Sequence, residues 1–239
     1  MRAASLALIT ASALVLSGAL APAHAQSTPT IQVTGQGETA VAPDMAVLSL
    51  TVMREAETAR AALDEANEAM REVIAAMKEK GIEDRDLQTS GLSINPRYVY
   101  PDRGEDRTPR IVGYQVSNSL TMRVREIEMV GEVLDLSVTI GVNQGGGIVL
   151  TNDDTTEVLE EARKAAVENA RAKAETLAAA AGVRLGRVMS IDEGARHPEV
   201  RPMAQPAMMR MEVADASVPI QAGENVYQIH VNVSFEILQ

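Results

Sequence analysis

The chain has 239 residues, of which 46% are hydrophobic, and carries a formal net charge of −11 at pH 7. This acidic balance disfavours binding to nucleic acids and to anionic lipid head groups. Cysteine is absent, which excludes a disulfide framework and a lipid-accepting cysteine at a signal cleavage site. The aromatic residues are four Tyr and one Phe, so the core is expected to be aliphatic.

Residues 1–25 have the pattern of a secretory signal peptide. Arg2 supplies a positive charge, an apolar stretch follows, and Ala23 and Ala25 are the small residues that a signal peptidase accepts. The pattern predicts cleavage before Gln26 and export of the mature chain. An uncleaved membrane helix is the alternative, and the polar residues that follow at once disfavour it. No later stretch has about 18 consecutive apolar residues, so no transmembrane helix is expected after cleavage.

Sequence patterns typical of β-strands begin near the start of the mature chain and are found up to its end. Residues 31–54 predict two strands joined by a turn at Pro43 and Asp44. The second is apolar at nearly every position, so it is expected to be central, with much of both faces covered. Period-two alternation predicts a strand over 112–125 and a half-buried closing strand over 227–237. Further strands are predicted at 87–100, 148–151 and 187–191.

Two long helices and one short helix are predicted between the strands. Apolar residues recur every three or four positions over 58–80, and Gly81 follows where a left-handed cap is needed. Residues 127–134 fit a short helix. An Ala-rich helix begins at a capping box formed by Asp154 and Glu157, and ends at Gly182. Its alanines allow close packing on a sheet.

The element order predicts an α+β fold, with a mainly antiparallel sheet covered on one side by the helices. Residues 26–239 are expected to form one domain or two packed subdomains. Residues 192–223 contain four Pro and no periodic pattern. This segment is predicted to be irregular, and its length favours a use in contacts.

No catalytic, cofactor-binding or metal-binding residue is assigned, and no cofactor is expected. After signal removal, only His197 and His230 remain. Two histidines make a catalytic triad or a zinc site built on several imidazoles hard to assemble. Each is interpreted as an ordinary solvated or hydrogen-bonded side chain. Residues 145–147 are three glycines, but no Lys-Ser/Thr pair follows and they precede a strand, which excludes a phosphate-binding loop.

Four methionines are clustered in the Pro-rich segment, at Met203, Met208, Met209 and Met211. Thioethers suit Cu(I) and are oxidised reversibly to the sulfoxide, so copper binding and oxidant absorption are two functional interpretations. The favoured interpretation is that these flexible side chains pack against the protein itself or against a neighbouring subunit.

Five short stretches in order resemble the SIMPL-domain family, also called DUF541. They are residues 33–38, 42–46, 89–94, 113–120 and 171–174, which read VTGQGE, APDMA, TSGLSI, GYQVSNSL and RAKA. The resemblance covers essentially the whole mature chain. It implies a periplasmic or outer-membrane-associated protein, self-assembly into ring-like oligomers in some members, and relatives that include an immunogenic antigen and proteins linked to oxidative-stress tolerance. It supplies no catalytic residues.

The resulting hypothesis is a non-enzymatic envelope protein that acts through self-assembly or contacts with other envelope proteins, with a part in oxidative or envelope stress implied by the resemblance alone. Edge strands and residues 192–223 are the expected contact surfaces. The alternative is a periplasmic protein that handles a small molecule or Cu(I) through the Met-rich segment. A hydrolase is disfavoured because no pairing of nucleophile and base is readable.

Overall fold

The computed structural model describes residues 28–100, 108–194, 199–203 and 218–239. Its strands are β1 Thr30–Val41, β2 Met45–Ala56, β3 Leu87–Val99, β4 Arg110–Val124, β5 Gln144–Thr151, β6 Arg184–Glu193, β7 Glu199–Met203 and β8 Glu224–Leu238. Its helices are α1 Ala59–Glu79, α2 Val130–Thr139 and α3 Thr156–Ala181. Short 3₁₀ turns precede β3 and α2. The predicted α+β class is confirmed, and all the strand pairs described are antiparallel.

The strands form two four-stranded sheets. Sheet A has the order β1-β8-β6, and β7 also pairs with β8. Sheet B has the order β3-β4-β2-β5. In sheet A, β6 and β7 follow one another along the same edge of β8, because Arg184 lies opposite Leu238 whereas Met203 lies opposite Glu224. The closing strand β8 is therefore flanked on both sides, and even its polar Gln228 and Ser234 are buried.

Helices α1 and α2 cover one face of sheet B and form its aliphatic core. Helix α1 begins at Thr58, whose Oγ1 accepts a hydrogen bond from the Ala61 amide at 3.2 Å. Gly81 follows the helix at φ 90°, as its sequence position predicts. The buried face of β2 contributes Ala46, Leu48, Leu50 and Val52.

The opposite face of β2 is largely open, whereas the sequence predicted that much of both faces would be covered. Val47 and Thr51 are only half-buried there, and Ser49 is exposed. The apolar run of β2 is explained by its central place between β4 and β5 and by the helices on one face. No element within the described ranges packs on its second face.

Helix α3 lies on β1 and β8 and uses alanines as its contact surface. The buried positions recur every four residues and are Ala162, Ala166, Ala170, Ala174 and Ala178. They meet Gly35 and Gly37 of β1, where a Cβ atom would lie 2.0 Å from the carbonyl oxygens of Ala166 and Ala162 respectively. Glycine on the strand and alanine on the helix thus bring two backbones into direct contact, as the Ala-rich pattern predicts.

The outer edge of β1 is closed by side chains of α3. Lys173 Nζ donates to the Thr34 carbonyl oxygen at 2.9 Å, and the Gln36 amide donates to Asn169 Oδ1 at 3.1 Å. A strand edge otherwise presents backbone groups to other chains. At these two positions, the helix satisfies the groups that a further strand would use.

A small polar network joins the two sheets. Asn152, which follows β5, donates from Nδ2 to the Ala42 carbonyl oxygen at 2.7 Å. Its Oδ1 accepts from Tyr227 Oη at 3.0 Å and from Asn225 Nδ2 at 3.2 Å. Asn225 Nδ2 also donates to the Leu150 carbonyl oxygen at 3.2 Å. Asn152 and Asn225 are buried, so the two bonds that Asn152 Oδ1 accepts are shielded from water, and they align β8 with the end of β5.

Three local predictions differ from the structure. Residues 192–223 are not irregular throughout, because β6 runs to Glu193 and β7 pairs with the open edge of β8. Strand β5 begins at Gln144, so the glycines predicted to precede the strand lie within it, at a bulge opposite β2. The cap residue of α3 is Thr155, and the Asp154 carboxylate instead accepts the Thr156 amide at 2.9 Å.

Candidate interaction surface

The described residues contain no group of three or more His, Cys, Asp or Glu able to hold a metal ion. His230 is exposed on β8, on the polar side where the alternation placed it. His197 lies outside the described residues, as do the signal peptide and Met208, Met209 and Met211. Met203 ends β7. The structure therefore leaves the copper and oxidant interpretations of the Met-rich segment as predictions.

The carboxyl group of Asp86 has a lowered pKa, and it belongs to an ion pair that holds the fold together. Arg125 holds it at two points, with Nε 2.9 Å from Oδ2 and Nη2 2.9 Å from Oδ1. The hydrogen bond from Arg125 is the main cause of the lowered pKa, and burial opposes it. Arg125 also contacts Asp153 after β5. A carboxylate held in this way remains ionised, so it is poorly suited to general acid or base chemistry near neutral pH.

The β3–β4 hairpin carries a group of exposed apolar residues. Near its tip, Tyr98, Val99, Tyr100, Ile111 and Val112 are between 49% and 69% exposed. We call these five residues the hairpin surface. Large apolar side chains that cluster on a surface mark sites of interaction with other molecules. Tyr98 and Tyr100 are two of the chain's four Tyr, and Tyr is a residue type enriched at protein interfaces.

The apolar character of the hairpin continues toward the body of the protein. Leu92 and Ile94 on β3 are 56% and 44% exposed. In the strand register they lie opposite Asn118 and Val116 of β4, which face helix α1. Helix α1 covers β2 and β4 but leaves this face of β3 open. Strand β3 is at the end of sheet B, so the hairpin offers both an open strand edge and apolar side chains.

Edge strands were the contact surfaces expected from the sequence, and β3 is one of them. The particular residues of the hairpin surface were not assigned in advance. Their signal in the sequence is the pair of apolar runs at 98–100 and 111–112, which flank a mainly polar sequence in a chain with few aromatic residues. An alternating pattern does not show whether an apolar face is covered, so exposure became visible only with the helices in place.

Parts of strands β3 and β4 and the β1 side of the α3 contact lie in stretches that carry the family resemblance. Residues 31–235 match the SIMPL family, described as proteins of unknown function (DUF541). The chain belongs to the SIMPL family. Within its stretch 33–38, Gly35 and Gly37 receive helix α3. Within 113–120, a Cβ on Gly113 would lie 2.9 Å from the Ala56 carbonyl oxygen, so two of the stretches include sites of close backbone approach.

The chain is similar to named bacterial proteins. The 26 kDa periplasmic immunogenic protein of Brucella melitensis is 57% identical over 210 residues, which cover 87% of this chain and 84% of the relative. The Uncharacterized protein YggE of Escherichia coli K12 is 26% identical over 209 residues, covering 87% and 81%. The SIMPL protein described here is an exported envelope protein of the periplasm. Within the described ranges, no helix combines the length and the apolar character needed to cross a membrane.

Proposed function

We propose that this SIMPL protein has no enzymatic activity and acts in the envelope by assembling with copies of itself and by contacting other envelope proteins. The observation that carries the proposal is the hairpin surface, where five large apolar side chains are about half or more exposed. Burying such side chains against a partner removes apolar area from water, at about 25 cal/mol for each Å².

The edge strands β1 of sheet A and β3 of sheet B support the same proposal by their contrast. On β1, Lys173 and Asn169 satisfy backbone groups that face away from the sheet. On β3, the edge strand carries exposed Leu92 and Ile94, without a covering helix. Proteins that remain monomeric commonly block such edges. An open apolar edge on one sheet and a blocked edge on the other direct association toward β3.

The mass of purified residues 26–239 in solution tests the proposal. Light scattering after size exclusion, at two protein concentrations, should show a discrete oligomer. Ile111→Lys, which places a charge on the hairpin surface beside its partner Tyr98, should shift the mass toward the monomer. Val138→Lys is the control because Val138 is an exposed apolar residue on α2 away from the hairpin. A wild-type monomer at both concentrations would contradict assembly, and equal masses for both variants would contradict the use of the hairpin.

The chain is proposed to be exported and cleaved before Gln26, with the mature protein free in the periplasm or peripheral at the outer membrane. Sequencing the N-terminus of the protein from a periplasmic extract tests the cleavage position. Washing outer membranes with high salt separates a peripheral protein from an integral one. A sequence that begins at Met1 would contradict the proposed processing.

We also propose that the protein takes part in protection against oxidative or envelope stress. This part of the proposal is supported by the family resemblance. A strain that lacks the protein should lose viability faster in hydrogen peroxide than the parent strain. Wild-type protein should restore survival, whereas Ile111→Lys should restore less if assembly is required. Equal survival of the deleted and parent strains would remove the stress role without affecting the test of assembly.

A further inference from the structure

An open groove of about 620 Å³ lies along one flank of helix α1, separate from the hairpin surface. Its lining residues are Asp64, Asn67, Glu68, Met70, Arg71 and Asn118. Five of them come from α1, and Asn118 comes from β4. Four of the α1 side chains are polar or charged and exposed, so the groove is a polar site bounded by a buried amide.

Asn118 is the unusual member of this groove. It is 8% exposed, and its Oδ1 is buried without a hydrogen-bond partner. No other buried side-chain nitrogen or oxygen in the described residues lacks a partner. A buried acceptor without a donor opposes folding, because the oxygen loses water and gains nothing in return. A ligand that supplies an N–H donor would remove this deficit.

The surroundings of Asn118 would accept an apolar side chain. Val116 and Leu120 flank it on the same face of β4, and both are fully buried. Strand periodicity thus places Asn118 in an apolar row, where Leu would continue the pattern. Positions at which a chain departs from such a pattern, without a compensating contact, are concentrated at functional sites.

The charges around the groove favour a cation. Asp64 and Glu68 are four residues apart on α1 and lie side by side on its surface. Within the described ranges, Glu68 forms no ion pair, and Asp64 is 3.7 Å from Arg60 in an exposed pair, which stabilises little. Arg71 Nε donates to the Asn67 carbonyl oxygen at 3.2 Å. Arg71 thus donates to a backbone carbonyl oxygen, and within the described ranges it forms no ion pair with either carboxylate. The chain's net charge of −11 attracts cations from a distance.

We propose that this groove binds the primary ammonium group of an aliphatic amine. The ammonium group donates a hydrogen bond to Asn118 Oδ1, while Asp64 and Glu68 neutralise its charge. Met70 provides an apolar contact for the adjoining methylene groups. A primary ammonium has three donors, which suits a site with one amide acceptor and two carboxylates. The site shares no residue with the hairpin surface, although Asn118 lies opposite Leu92 of β3 in the strand register.

Calorimetric titration of residues 26–239 with pentane-1,5-diamine tests the site. The diamine should bind in low salt with a Kd of about 1 mM, and pentane-1,5-diol, its uncharged counterpart, should not. Nα-acetyl-lysine methylamide distinguishes a free amine from a lysine side chain of a protein as the source of the ammonium group. Binding of either amine supports the site and names its source. No heat with both amines, or equal binding of the diol, would overturn it.

Substitutions test whether the amine binds in the groove. Glu68→Gln should weaken diamine binding about fivefold or more, whereas Glu72→Gln, an exposed substitution on the same helix outside the groove, should leave it unchanged. Asn118→Leu should abolish binding while its urea unfolding midpoint stays equal to or rises above that of the wild type. A lowered midpoint would show that Asn118 is already satisfied in the free protein, and equal effects of the two Glu variants would place the amine elsewhere. Either result would contradict the proposal.

Discussion

Gly35 on strand β1 contacts the backbone of Ala166 on helix α3, so closely that a Cβ atom on Gly35 would lie 2.0 Å from the Ala166 carbonyl oxygen. The Cβ atom of Ala170 would lie 2.7 Å from the Cβ atom added to Gly35. Neither neighbour can turn aside, since one is backbone and the other is a methyl group. The helix must move away from sheet A if any side chain is placed here.

Gly35→Ala is accordingly expected to lower the free energy of unfolding by about 3 kcal/mol, the upper part of the usual range for overpacking. The displacement would also separate Lys173 from the Thr34 carbonyl oxygen. Urea unfolding followed by circular dichroism measures the change.

Gly91→Ala is the matched control, because it is also a glycine within a strand but its Cβ would meet only Ser119, at 3.9 Å. Its free energy of unfolding should change by less than about 1 kcal/mol, in either direction. Similar losses for the two variants would show that α3 does not pack on Gly35 as described.

The ion pair of Asp86 and Arg125 predicts a loss of stability in acid. The folded-state pKa of Asp86 is lowered, so the stabilisation is present above the unfolded pKa of about 3.9. It is lost as the pH falls through the folded pKa, when the carboxylate becomes protonated. Asp86→Asn should cost about 2 kcal/mol at pH 7, as expected for hydrogen bonds to a charged group. The difference from wild type should shrink below about pH 4.

Asp84→Asn controls for the charge change, since Asp84 is on the same 3₁₀ turn and pairs with Lys78 at the surface. That exposed pair should contribute less than about 1 kcal/mol. Urea unfolding at a series of pH values provides both comparisons. An Asp86→Asn deficit that does not vary with pH would contradict the assignment of the lowered pKa to this pair.

The network at Asn152 predicts coupling between the two sheets. Asn152→Ala should lower the free energy of unfolding by about 2 kcal/mol, because the buried Tyr227 hydroxyl and the Ala42 carbonyl oxygen lose their partner. Tyr227→Phe should cost about 1 kcal/mol. Because both changes remove the same hydrogen bond, the double variant should cost less than the two losses combined, by at least about 0.5 kcal/mol. Additive losses in urea unfolding would show that the two side chains act separately.

Asn143 extends the pairing of β2 with its side-chain amide. Its Oδ1 accepts from the Met53 amide at 2.8 Å, and its Nδ2 donates to the Met53 carbonyl oxygen at 2.9 Å. Asn143→Asp replaces the donor by an oxygen that faces the carbonyl, so unfolding at pH 7 should become easier by about 1 to 2 kcal/mol. Asn95→Asp, at an exposed site on β3, should have almost no effect in the same assay. A neutral Asn143→Asp would contradict the described geometry.

Much of the local structure follows from the sequence, because periodicity depends on neighbours in the chain. The recurrence of apolar residues every three or four positions determines α1, and alternation determines β4 and β8. Gly81 and Gly182 mark the helix ends with left-handed conformations, which glycine adopts without a steric penalty. The family was likewise recognised from short stretches in order. The capping box predicted at Asp154 does not form, because Thr155 is the cap residue and the Asp154 carboxylate accepts the Thr156 amide instead.

The tertiary structure alone decided the division into two sheets and the surfaces that it leaves open. Alternation shows which face of a strand is buried, but the hydrogen bonds of a strand are made by backbone groups common to all residues, so its neighbour is not encoded locally. Thr30 therefore pairs with Glu236 from the far end of the chain. The exposure of the hairpin surface and the unpaired Oδ1 of Asn118 have the same origin, because both depend on where α1 ends its coverage of sheet B.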